Sequence, residues 1–239
     1  MGMTRRLIQA TTLLLLSGTC AAAGPGAPQA VSASYEVFMN GGRVAVMDET
    51  FEAKDGQYRI VSESHAVGLL KLFMRQTLRV TSRGRLTGAG LAPQHFEGKR
   101  GDDDPRQVRA EFDWEGQQLK VTRKGGTQIL PLPPRTQDQL SIMYQFMFLA
   151  PDRPQVLQLS RTTGRKVEQH RYTVRTGVEI ETPLGHMATV HLVRQQPPDE
   201  EGVEIWLAPR YRYLPVKLLI LDDNGARYEQ VMTKLEIKP

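Results

Sequence analysis

"QVRAEFDW", residues 107–114, alternates apolar and polar side chains at every step and so predicts a β-strand. Val108, Ala110, Phe112 and Trp114 fall on one face of that strand, and charged or amide side chains fall on the other. A strand of this kind has one face against a core and one face in water, which is typical of antiparallel sheets.

Similar strand-like runs flank short turn sequences along most of the chain. The turns contain glycine because type I′ and II′ hairpins need positive φ angles. They occur at 40–42, 55–56, 115–116, 125–126, 182–185 and 224–225. The pattern predicts a mainly β fold of about eleven or twelve strands, without βαβ alternation. We expect a single large curved antiparallel sheet, a half-barrel-like meander, with one main helix packed on or in it.

That helix is predicted over residues 136–149, with Thr136 as its N-terminal cap and Gln139 completing a capping box. One face carries Leu140, Met143, Tyr144 and Met147 at helical spacing. The other face is apolar as well, since it carries Ile142, Phe146 and Leu149. The helix is therefore either wedged between the sheet and loops, or has one side facing a ligand cavity.

A second apolar cluster, "GLLKLFM" at 68–74, lies between two predicted strands. It predicts a bend or a turn of helix over the sheet, serving as core or as a lid over a cavity. The hypothetical cavity lining drawn from the two segments is Leu69, Leu72, Phe73, Leu140, Met143, Tyr144 and Met147.

"EIWLAPRYRYLPV", residues 204–216, has large apolar groups on both faces of its first strand. Ile205 and Leu207 point one way and Trp206 the other, so the sheet is expected to be covered on both sides there. Pro209 suits a turn, and Pro215 suits a strand start or an edge, because proline donates no ladder hydrogen bond.

The N-terminus indicates export to the periplasm. "MGMTRR" is a positive n-region, "LIQATTLLLLSGT" an apolar stretch, and "CAAAG" a cleavage site after Ala23. The apolar stretch is shorter than the roughly 20 residues that span a bilayer, and we expect no transmembrane segment in the mature chain. Lipidation at Cys20 is the alternative, although its sequence context is poor. The predicted organisation is a signal peptide at 1–23, a short flexible segment at 24–32 and one β-rich domain at 33–238.

Charge and motifs exclude several function classes. The net charge of +5 is spread among acids instead of forming a basic run, so no nucleic-acid partner is expected. The single cysteine lies in the leader, and the five histidines lack metal spacing. "GDDDP" at 101–105 lacks the alternation of a calcium loop. No hydrolase, zinc or phosphate-binding motif is present, and we predict neither metal, cofactor nor catalytic residues.

Six stretches together resemble domain-of-unknown-function family 3108 of exported Gram-negative proteins. They are "SESHAVGLLKLF" (62–73), "GRLTGAGLAPQHFEGKRG" (84–101), "AEFDWEGQQLKV" (110–121), "LPLPPRTQDQLSIMYQ" (130–145), "ETPLGHMATVHLVR" (181–194) and "EIWLAPRYRYLPVKLLI" (204–220). More distantly, the last stretch with "DDNGARYEQV" resembles periplasmic lipoprotein carriers. That resemblance implies a curved half-barrel whose concave face holds acyl chains or hydrophobic peptides, and it supplies no catalytic residues.

Two functions therefore lead. One is a non-catalytic protein that binds or carries a hydrophobic small molecule or lipid in the half-barrel. The other is an envelope interaction protein with a filled core and an envelope protein partner. A hydrolase assembled from scattered residues is a third alternative.

Overall fold

The structure is a computed structural model that describes residues 26–73, 76–101, 104–197 and 200–239. The predicted signal peptide with Cys20, Met74, and Asp102 and Asp103 of the "GDDDP" stretch lie outside the described residues. The first strand begins at Ala30, three residues before the domain boundary expected from the sequence.

Strands dominate the described part of the chain. The first half contains β1 (Ala30–Met39), β2 (Gly42–Lys54), β3 (Gln57–Ala66), β4 (Leu78–Thr87), β5 (Gly90–Arg100), β6 (Val108–Asp113), β7 (Gln118–Arg123) and β8 (Gly126–Pro131). The second half contains β9 (Gln137–Asp138), β10 (Val156–Thr162), β11 (Val167–Thr182), β12 (Gly185–Gln195), β13 (Gly202–Ala208), β14 (Leu214–Leu221) and β15 (Arg227–Lys238). The helices are α1 (Leu70–Phe73), α2 (Ser141–Gln145) and two 3₁₀ turns, Phe146–Phe148 and Pro209–Tyr211.

These strands form one sheet in the order β8-β7-β6-β5-β4-β3-β2-β1-β15-β14-β13-β12-β11-β10-β9. Every pair is antiparallel except β9 with β10. The sheet has edges at β8 and β9, so it is curved but not closed, as predicted. The predicted strand number was too low: the described residues contain fifteen strands. A two-residue strand such as β9 is too short for a period-two pattern to mark it.

The first and last strands pair in the middle of the sheet. β1 pairs with β2 on one side and β15 on the other, from Ala30 opposite Lys238 to Met39 opposite Tyr228. The sequence is thus two meanders, β1–β8 and β15–β9, joined at the first and last strands.

The local patterns behave largely as the sequence indicates. In β6, Ala110 and Phe112 are buried while their neighbours Arg109 and Glu111 are exposed. Trp114 follows the strand and is only partly buried, with its indole donating to the Pro93 carbonyl (2.7 Å). The hairpin at Asn40–Gly41 has positive φ at both residues (50° and 82°), as a type I′ turn requires.

The junction at 204–216 also has the predicted two-sided cover. Val203, Ile205 and Leu207 pack in one buried cluster with Phe146. Trp206 lies on the opposite face, stacked on His191 with ring centroids 4.3 Å apart. The register shifts between Trp206 and Leu207, beside Pro215, and a bulge is a place where proline fits a ladder.

Candidate ligand-binding cavity

Residues 132–148 leave the edge strand β8, form the other edge strand β9 and then cross the concave side of the sheet. From β9 this segment reaches back to β5, where the Gln137 side-chain amide donates to the Leu91 carbonyl (2.8 Å). The Leu91 amide in turn donates to Oε1 of Gln145 (2.7 Å). The two halves of the sheet therefore curl around residues 137–148.

Asp138 fixes the start of α2. Its Oδ1 accepts the amides of Leu140 (2.9 Å) and Ser141 (2.8 Å), and its own amide donates to Ser141 Oγ (3.0 Å). Oδ2 accepts the hydroxyl of Ser82 in β4 (2.6 Å). Burial raises the pKa of the Asp138 carboxyl, although these hydrogen bonds oppose the shift.

This arrangement corrects the predicted helix. The helical stretch runs over 141–148, including the 3₁₀ turn, and does not start at Thr136. The Thr136 hydroxyl instead donates to the Pro133 carbonyl (2.7 Å). Asp138 takes the place of Thr136 as the acceptor for the free amides before the helix, because a carboxylate can accept two amides at once.

Glu49 is a buried carboxylate on the concave face of β2. The Tyr144 hydroxyl donates to its Oε2 (3.1 Å), while the Tyr144 ring stacks on Phe51 at 5.4 Å. Burial raises the pKa of Glu49 to about 7, against the lowering effect of hydrogen bonds from Tyr144 and Ser62. The site holds a carboxyl group that changes charge near neutral pH.

A cavity of about 240 Å³ opens beside Glu49. Its apolar lining comes from both halves of the sheet and from the approach to α2: Met47, Leu78, Val80, Leu140, Met143, Pro215, Leu218 and Ile220. Its polar lining is Tyr35, Glu49, Ser62, Ser64, Gln139, Arg161 and Gln230. Small-molecule sites combine an apolar wall with polar groups that fix the orientation of the ligand, and this cavity has both kinds of lining.

Arg161 brings a cation to this cavity from β10. Its buried Nε has no hydrogen-bond partner among the described residues. Burial lowers the pKa of the neighbouring His170 to about 4, and the charges of Arg161 and Arg194 add to that effect. His170 thus stays neutral, and Arg161 provides positive charge beside the cavity.

A wider hollow of about 620 Å³ continues from the cavity to one end of the sheet and shares Leu78, Val80 and Gln139 with it. Five cationic side chains line this mouth: Arg100, Arg106, Arg123, Lys124 and Arg165. The cavity beside Glu49 therefore has a mixed apolar and polar lining, and the hollow that adjoins it is basic.

The family model for a protein of unknown function, DUF3108, matches residues 34–233. The chain belongs to the DUF3108 family. This confirms the resemblance drawn from its six sequence stretches. A search of curated protein sequences finds no match to the chain.

Solved structures similar to this DUF3108 protein include a β-barrel-like protein of the DUF1849 family from Brucella abortus. It has a TM-score of 0.54 and 11% identity over 87% of this chain and 97% of the other. A candidate lipoprotein from Parabacteroides distasonis has a TM-score of 0.35 and 8% identity over 87% and 97%. A candidate outer-membrane lipoprotein-sorting domain from Vibrio parahaemolyticus has 0.26 and 7% over 87% and 85%. The DUF1849 likeness supports the barrel-like fold alone.

The structure places two of the seven residues predicted to line a ligand cavity beside Glu49, and a ligand-binding role for them stays a prediction. Leu140 and Met143 face the cavity beside Glu49. Tyr144 and Met147 are buried in the main hydrophobic cluster and do not belong to the cavity lining.

The other three predicted lining residues are exposed, which corrects the expectation for the segment 68–74. Leu69, Leu72 and Phe73 keep 80%, 63% and 84% of their surface in solvent. α1 buries none of its residues, because four residues cannot form an amphipathic face long enough to pack on the sheet.

Sequence reasoning missed the polar residues of the cavity. Glu49 lies between Met47 and Phe51 at alternate positions of β2, so its place on an apolar face was visible as a carboxylate in an apolar alternation. Arg161 and Gln230 gave no such signal, since only the folded sheet brings Arg161 of β10 and Gln230 of β15 to the same cavity.

Among the described residues, no group of three or more histidine, cysteine or acidic side chains is arranged to hold a metal ion. No helix in the described part of the chain is long and apolar enough to cross a membrane.

Proposed function

We propose that this DUF3108 protein is a non-catalytic periplasmic protein that binds an acyl chain in the cavity beside Glu49. The observation that carries the proposal is the cavity itself, a partly open space of about 240 Å³ lined from both halves of the sheet and from α2. Export follows from the signal peptide predicted at residues 1–23.

The lining supports an apolar, flexible ligand. Met47 and Met143 contribute long unbranched side chains that adapt to different shapes at little cost. The volume is below the roughly 300–1,000 Å³ of sites for drug-sized ligands, so it fits one short chain or the end of a longer chain. The basic mouth suits a ligand whose polar end is anionic.

The second candidate is an interaction protein with a filled interior. Leu140, Tyr144, Phe146 and Met147 do occupy much of the concave side. On that reading the remaining cavity is a packing defect and binds nothing.

A fluorescent fatty acid separates the two candidates. We expect saturable binding to the wild-type protein and at least a tenfold loss of affinity in Met143→Asp, because a carboxylate placed in the apolar wall would lack a partner. Val80→Phe, which fills space without adding charge, should also weaken binding. The measurement is a fluorescence titration.

Met39→Asp is the matched control, since Met39 is 38% exposed at the end of β1 and lies outside the cavity. Circular dichroism must show an intact sheet in every variant. Absence of binding by the wild-type protein, together with no lipid in mass spectra of protein isolated from the periplasm, would favour the filled-interior reading.

A further inference from the structure

One end of the sheet carries the loop that contains α1. Consecutive antiparallel strands place alternate connections at the same end. Ser64 pairs with Leu78, Leu78 with Arg100, and Val108 with Arg123, which sets the β3–β4, β5–β6 and β7–β8 connections side by side. We call this end, including the β10–β11 turn at 163–166, the mouth rim.

The first feature of the mouth rim is a protruding apolar loop. Leu69, Leu72 and Phe73 are each more than half exposed, and Phe73 is the most exposed of the large apolar side chains in the described part of the chain. The Gly101 amide donates to the Thr77 carbonyl (3.3 Å), so this loop adjoins the β5–β6 connection. Exposed apolar side chains grouped in this way indicate an interaction site.

The second feature is positive charge on the neighbouring connections. Arg100, Arg106, Arg123, Lys124 and Arg165 surround the opening, with Asp104 among them. Arg123, Lys124 and Arg165 form no ion pair with another described residue. Among the described residues that line the hollow, five cations thus stand against one acid.

We propose that the mouth rim docks on the surface of an anionic lipid bilayer. Leucine and phenylalanine side chains insert at the boundary between headgroups and acyl chains, while adjacent lysines and arginines bind anionic headgroups. The three exposed apolar side chains lie within five consecutive residues, next to the basic connections, and this combination suits insertion into an anionic lipid surface. This inference goes beyond ligand binding and stands on different residues from those of the cavity.

A protein docked through its mouth rim would have the basic opening of its interior facing the membrane. Leu78, which follows the apolar loop in the chain, lines both the mouth and the cavity beside Glu49. A docked molecule would thus present its interior to the lipid surface. Docking does not require the cavity to be occupied.

Vesicle co-sedimentation tests the inference on the full chain. The protein should bind vesicles made of equal parts phosphatidylglycerol and phosphatidylcholine, and bind pure phosphatidylcholine vesicles at least tenfold more weakly. The triple variant Leu69→Ser/Leu72→Ser/Phe73→Ser and the double variant Arg123→Glu/Lys124→Glu should each lose at least tenfold in partitioning. Binding should also fall as salt is raised, because salt screens exposed charges.

Matched controls use the same chemistry elsewhere on the molecule. Ile129→Ser removes an apolar side chain that is 53% exposed on the edge strand β8. Lys54→Glu/Arg85→Glu reverses two exposed charges at the opposite end of the sheet. Both controls should bind as the wild type does. All proteins share one N-terminus, so a retained leader or a lipid at Cys20 contributes equally to each.

The inference is overturned if the wild type binds neither kind of vesicle, and the apolar loop would then be assigned to a protein partner. It is also overturned if the mouth-rim variants and the control variants bind anionic vesicles equally well. Its failure is distinguishable from failure of the acyl-chain proposal. The mouth-rim variants should keep their affinity for the fluorescent fatty acid, and Met143→Asp should keep its affinity for anionic vesicles.

Discussion

At the scale of single residues, Glu49 makes the clearest prediction because its pKa of about 7 lies well above the model-peptide value of 4.5. The folded protein favours the protonated carboxyl. Below pH 4.5, Glu49 is protonated in the folded and the unfolded state, and its ionisation does not lower the free energy of unfolding. Between pH 4.5 and pH 7 the unfolded chain ionises first, and the free energy of unfolding falls by up to about 3 kcal/mol. Glu49→Gln should lack this fall. Denaturant titrations of both proteins across that pH range measure it, and parallel pH profiles would contradict the assigned burial.

At the scale of elements, the predicted helix shows where sequence reasoning reached its limit. The apolar pattern of residues 140–149 correctly indicated a helix with two buried sides. Its start depended on whether the side chain of Thr136 or that of Asp138 accepts the free amides before the helix. Asp138 is held in position by Ser82, which lies more than fifty residues away in the sequence and donates a hydrogen bond to its carboxylate. Local propensity cannot contain such a contact.

The hydrogen bonds of Asp138 yield a stability prediction. Asp138→Ala should lower the free energy of unfolding by about 2–4 kcal/mol, because it leaves the buried amides of Leu140 and Ser141 without an acceptor. Asp113→Ala is the comparison: Asp113 accepts the Gly116 amide (2.9 Å) in an exposed turn. Water can replace that acceptor, and the cost should be about 1 kcal/mol or less. Denaturant melts measure both, and equal losses would show that Asp138 is no more than a surface cap.

At the scale of the whole molecule, the sequence indicated a curved antiparallel meander but not the pairing that completes it. Turn residues at 40–41 and 55–56 predict which neighbouring strands pair. No local pattern indicates that Val31 lies opposite Ile237, because that contact joins the first strand to the last. The cavity depends on this pairing, since Tyr35 and Met47 come from one meander and Leu218 and Gln230 from the other.

The position of β15 between the two meanders gives a prediction about folding. β15 lies between β1 and β14, and its removal would expose both strands and separate the two meanders. A chain ending at Asp222 should therefore lose cooperative unfolding and aggregate through the freed strand edges. A chain lacking only Lys238 and Pro239 should fold, because it keeps the ladder from Val31–Ile237 to Met39–Tyr228. Calorimetry and size-exclusion chromatography distinguish the outcomes. If the chain ending at Asp222 still melted in one cooperative transition, the meanders would be independent folding units and the β1–β15 ladder would only dock them together.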